Sequence, residues 1–196
     1  MKKITLLLFC FPLVVFGQLS EIVKVADAQL NEYLQKIPVG QEEMFGFSNR
    51  DEFSQTKIGV PYEVLTLSTD FFSDERIENN KNYLVSTGNW RVPIKVGDEY
   101  KALLTVSKDN NVWSIVKIGA KGLASELGEF AQRKPLITSL SILRVFQLKG
   151  DFILTQQNII YPLTSAVRGL NISSKKEYSI YDILTLLKNK KFNDEK

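Results

Sequence analysis

Apolar residues recur every three or four positions near both ends of the chain and every second position through its middle. That change of period predicts the order of elements. Behind Ser20, which can cap a helix, Ile22, Ala26, Leu30, Tyr33 and Ile37 share a helical face until Pro38 and Gly40 stop it. Phe45, Phe47 and Phe53, set among Gly46, Gly59 and Pro61, predict an irregular segment pinned to a core by aromatic rings. Tyr62 to Leu67 reads as a strand. The polar stretch from Ser68 to Asn82 reads as an exposed loop with room for one helical turn.

Strict alternation begins at Trp90. Trp90, Val92, Ile94 and Val96 share one strand face, and Gly97-Asp98 turns the chain into Tyr100, Ala102, Leu104 and Val106. Asp109-Asn110-Asn111 turns it again into Val112 to Ile118, completing an antiparallel meander. Pro93 has no amide hydrogen to give, which predicts that the Trp90 strand lies at a sheet edge or is interrupted there.

Leu123, Leu127 and Phe130 then predict a helix closed by Pro135. A second meander is expected from Ser139 to Leu148, Phe152 to Thr155 and Ile159 to Leu163, its first strand apolar enough to be central and Gly150-Asp151 making the first connection. Ser179 with Asp182 resembles a capping box for a last helix that ends at Lys188, Lys190 and Lys191, with residues 192–196 as a frayed tail. The fold class is therefore α+β: an antiparallel sheet built from two short meanders, packed against helices in a single domain.

The first residues change where this domain is expected to work. Lys2 and Lys3 precede an apolar stretch from Ile4 to Phe16, the pattern of a signal peptide, with cleavage expected between Gly17 and Gln18. The stretch is shorter than the about 20 residues of a spanning helix and is broken by Pro12, so stable membrane insertion is not expected after cleavage. Cys10 lies inside the stretch behind bulky Phe9, which does not suit lipoprotein processing. The expected domains are thus a signal peptide, 1–17, and a mature domain, 18–196, located in the periplasm or secreted.

Cleavage also removes the one cysteine, and the chain has no histidine, so the mature domain lacks disulfides and the usual ligands of transition metals. It would keep 23 of the 25 basic side chains against 22 acidic ones, a net charge of +1. Such neutrality weighs against a nucleic-acid partner. No cofactor is expected.

Candidate chemistry is sparse. Lys117-Ile118-Gly119-Ala120-Lys121-Gly122-Leu123 leads from a strand into a helix start, where free amides and Lys117 and Lys121 could hold an anion beside Gly119 and Gly122. It lacks both phosphate-loop and dinucleotide spacing, and a plain turn is the simpler reading. Ser54/Lys57, Ser114/Lys117 and Ser173/Lys176 have the serine–lysine spacing of some acyl-transferring enzymes without a helix to align them. Glu126 and Glu129 form a solvated helix face rather than an acid pair, and Asp109-Asn110-Asn111 is a turn rather than a calcium loop. Arg144, inside an apolar strand, either pairs internally or meets an anionic ligand. An exposed Trp90 edge would offer Trp90, Arg91 and Lys95 to a partner chain. Together these features favour a non-catalytic binding module of the cell envelope, with an envelope or extracellular protein or glycan as partner. An envelope enzyme using carboxylates or lysine, and a small-ligand carrier, are the alternatives.

Overall fold

The computed structural model describes residues 13–78 and 81–190. The basic start and most of the apolar stretch, Asn79-Asn80 and the tail 192–196 lie outside the described residues. A first helix, α1, runs Leu13–Gln35 and passes through Ser20 without a break, so Ser20 is an interior helical residue and not the expected cap. Gly17 and Gln18 fall within this helix. Ile22, Ala26, Leu30 and Leu34 are buried on one side of it, and Gly40 turns the chain beyond its end at a φ of 83°.

Among the described residues, nine strands form one sheet. They are β1 (Thr56–Ile58), β2 (Tyr62–Leu67), β3 (Leu84–Val96), β4 (Glu99–Asp109), β5 (Val112–Gly119), β6 (Leu140–Val145), β7 (Gly150–Thr155), β8 (Ile159–Pro162) and β9 (Tyr178–Ser179). Their spatial order is β5-β4-β3-β2-β6-β7-β8-β9, with β1 paired to β3. The two expected meanders, β3–β5 and β6–β8, are both present, and β2 joins them through a parallel pairing with β6. All other pairings are antiparallel. The first strand of the second meander is shorter than expected, because Phe146 to Lys149 form the turn; Lys149 adopts a φ of 52° and Asp151 lies inside β7.

The expectation of a partner edge at Trp90 is corrected by this order. Strand β3 is flanked by β4 on one side and by β2 and β1 on the other, so its backbone is already spent. The Pro93 carbonyl accepts from the Gly59 amide at 2.7 Å, in the short stretch where β1 gives way to β2. An N–H at Pro93 would point to that same gap, which is why proline is tolerated in an interior strand. Interruption of the partner, and not of β3, satisfies Pro93.

Helices cover both faces. Helix α1 lies over Trp90, Val92, Ile94, Leu104 and Val106 on one face, while α3 (Lys121–Arg133) lies against Leu103, Ile142 and Ile153 on the other. Helix α5 (Ile180–Asn189) packs beside Leu143, Phe152 and Leu154 on the same face as α1, with Phe71 from the short α2 (Thr69–Ser73). The expected capping box is present at its start, where Ser179 and Asp182 each bond the other's backbone amide. Helix α4 (Thr164–Leu170) closes the end of β7 and β8. Among the described residues no helix is long and apolar enough to cross a membrane.

Candidate functional site

Cross-strand pairing decides which polar side chains meet. Arg91 on β3 stands opposite Thr105 on β4, and Thr105 stands opposite Lys117 on β5, so these three form one row on the α3 face. On the same face, Arg144 on β6 stands opposite Asp151 on β7. Both groups line a single cleft of about 560 Å³, with Thr87 and Asn89 on its wall and Ala120 and Leu123 at the start of α3. Val116 and Phe146, each more than half exposed, add apolar surface at its mouth.

The charges within it are unequally satisfied. Arg144 Nη1 pairs with Asp151 Oδ2 at 2.5 Å, and the Asp151 amide takes the Ser165 hydroxyl as its acceptor at 2.9 Å. Burial pushes the Asp151 carboxyl above its usual range, against the opposing pull of Arg144, Arg91 and Ser165. Arg91 is half-buried and donates to Thr105 Oγ1, but no carboxylate lies within salt-bridge distance of it among the described residues. Burial lowers its proton affinity, Asp151 raises it, and Arg144 lowers it again. With Lys117, the cleft carries three cations against one carboxylate among the described residues.

The start of α3 adds to this field. It has no acidic residue in its first turn and no side-chain cap, because Ala120 holds the cap position in a left-handed conformation. The four residues expected to hold an anion there do not act as a unit. Lys117 joins the cleft, whereas Lys121 turns away and donates to the Glu43 carbonyl at 3.0 Å. Gly119 supplies a φ of 147° and Gly122 stands in open space. Residues Trp90 and Lys95 also part from Arg91: Trp90 points to the α1 face, and Lys95 lies over the Tyr100 ring at 5.6 Å.

The other candidates resolve into structural roles. The register shift of β5 between Ser114 and Lys117 sets them opposite Ser107 and Thr105, two residues apart on one face of β4, so the opposite facing that plain alternation predicts for them is lost; of the two, Lys117 lines the cleft and Ser114 does not. Glu126 accepts from the Thr164 amide at 2.6 Å and Glu129 accepts from Ser125 at 3.5 Å, so neither faces the cleft as an acid pair. Among the described residues no three Asp, Glu, Cys or His side chains gather as metal ligands. Sequence reasoning named Arg91, Lys117 and Arg144 separately, and it passed over Asp151 as a turn residue. Comparison of the chain with protein-family models, with curated proteins and with solved structures finds no match.

Proposed function

We propose that this chain is an exported, non-catalytic binding module whose ligand is a small anion with an apolar body, held in the cleft between the sheet and the start of α3. The observation that carries this reading is Arg91, a half-buried guanidinium with one neutral acceptor and no acid within salt-bridge distance among the described residues. A buried cation is costly unless compensated, and a planar fork with open donors matches a carboxylate or phosphate. Arg144 is positioned by Asp151 beside it, and Val116 and Phe146 offer contact to the remainder of the ligand. Asp151 is the one carboxylate that lines the cleft among the described residues, and it is engaged by Arg144, so the acid pair of a glycosidase is not assembled there.

The test is thermal stabilisation of the purified 18–196 fragment by acetate, benzoate, decanoate and inorganic phosphate. Binding to the native state raises the melting temperature with ligand concentration. Benzoate or decanoate should stabilise more than acetate, and the effect should vanish in Arg91→Met. Equal and negligible shifts from all four anions would count against the reading.

A further inference from the structure

A second cleft, of about 520 Å³, lies on the opposite face of the sheet and carries the opposite charge. Alternation along β2 separates the two: Val64 lines the anion cleft, whereas Glu63 and Leu65 line this one. Cross-strand pairing sets Trp90 on β3, Glu63 on β2, Ser141 on β6 and Leu154 on β7 in one row, on the face that α1 and α5 cover.

Glu63 is the exception among the buried and half-buried acids. Glu42 pairs with Arg50, Glu52 with Lys101, Asp74 with Lys81 and Asp151 with Arg144, while Glu126 accepts from the Thr164 amide. Glu63 is half-buried in an interior strand, yet its side chain has no hydrogen bond or ion pair among the described residues. Its neighbours in the row, Trp90 and Ser141, bring no positive charge. Among the described residues no lysine or arginine lines the cleft. A carboxylate partly withdrawn from water gains most from a cation that also donates hydrogen bonds to it.

We infer that this cleft binds an organic ammonium ion with an apolar body. A neutral ligand would leave the Glu63 charge uncompensated, and an anion would add to it. A hard divalent ion calls for several oxygen ligands, commonly including more than one carboxylate, and Glu63 is the one acid that lines the cleft among the described residues. An ammonium head carries three donors. One can meet Glu63, and the hydroxyls of Ser139 and Ser141, which line the same cleft and make no hydrogen bond among the described residues, are open to the others. Val60, Leu65, Leu84 and Leu154 supply an apolar wall for the remainder of the ligand.

The experiment is an NMR titration of the ¹⁵N-labelled 18–196 fragment with hexylammonium chloride, and with glucose and calcium chloride as the neutral and divalent probes. Hexylammonium should shift the backbone amides of Glu63, Ser141 and Leu154 saturably, and neither of the other probes should do so at the same concentrations. Glu63→Gln keeps the shape of the side chain and has no partner to lose, so it should fold as the wild type does and bind about tenfold or more weakly. Ser141→Lys sets an ammonium directly opposite Glu63 and should abolish binding by occupying the carboxylate. Arg91→Met should bind hexylammonium unchanged, so that failure of the anion cleft and failure of this one are told apart. The inference is overturned if hexylammonium leaves the three amides unmoved, if glucose or calcium shifts them as strongly, or if Glu63→Gln or Ser141→Lys binds as well as the wild type.

Discussion

Replacing Arg91 by methionine separates a ligand-binding arginine from a structural one. Methionine keeps an unbranched apolar stem of similar reach, so packing against the strand is largely preserved. The fold loses the hydrogen bond to Thr105, about 1 kcal/mol, and is relieved of a half-buried cation that no acid neutralises. The net change in stability should therefore stay within about 1 kcal/mol. Binding should respond differently, because a bidentate guanidinium–anion contact contributes two charge-assisted hydrogen bonds, together about 2–4 kcal/mol, or roughly 30- to 1,000-fold in Kd. Asp151→Asn should instead strengthen benzoate binding, because it removes the one negative charge that opposes an anion among the described residues of the cleft; its effect on stability should be small, since taking the acid from Arg144 is offset by removing a carboxylate that burial disfavours. Urea unfolding gives the stabilities and calorimetric titration with benzoate gives the affinities. Arg91→Met unfolding more than about 2 kcal/mol more easily, with benzoate affinity unchanged, would refute the reasoning.

Two further predictions concern the fold. Gly46 has a φ of 95°, and a Cβ there would lie 2.1 Å from the Lys101 carbonyl oxygen, so Gly46→Ala should cost about 3 kcal/mol or more, or prevent folding, as read by urea unfolding. Stability should also fall as pH drops below 4.5. Hydrogen bonds hold the Glu42, Asp74 and Glu177 carboxyls below their usual range, with Arg50 beside the first and Lys81 and Lys134 donating to the other two. The Ser48 amide and Lys101 likewise hold Glu52 down, despite its burial. Each such contribution is complete above the unfolded value and is lost as pH falls through the folded one. Asp151 has the opposite sign, because its raised affinity for protons favours the fold at low pH and is lost as pH rises. Asp151→Asn should therefore lose stability more steeply on acidification than the wild type, measured by thermal melts across pH 2–6 at roughly half-unit steps.

The architecture was legible where periodicity carries it. Both meanders, the α3 and α5 helices and the Ser179 capping box follow from local patterns that tertiary contacts did not override. The strand partners were not legible. Pro93 suggested an edge because local sequence cannot show that β1 and β2 meet on either side of it. Ser20 suggested a helix start because its cap chemistry is equally compatible with an interior position when the residues before it also favour a helix. Strand β9 and helix α4 are too short to give a period, and β1 gave no separate signal.

The cleft was hidden for a related reason. Arg91, Lys117, Arg144 and Asp151 lie on four strands, and only the register of β3 to β5 and of β6 to β7 brings them to one face. A slip of one residue in either register would turn the charges to the opposite side. The signal available in advance was Arg144 within an apolar strand, which demanded a buried acid; Asp151 answers that demand across the hairpin. Nothing comparable announced Arg91, whose importance comes from the acid it lacks.

The side-chain ¹⁵Nε resonance of Arg91, assigned by its loss in Arg91→Met and followed while benzoate is added to the 18–196 fragment, tests the anion cleft most directly. The account predicts a saturable shift and slowed exchange at Arg91, with a smaller change at Arg144. Saturable binding of benzoate that leaves the Arg91 resonance unmoved would contradict it.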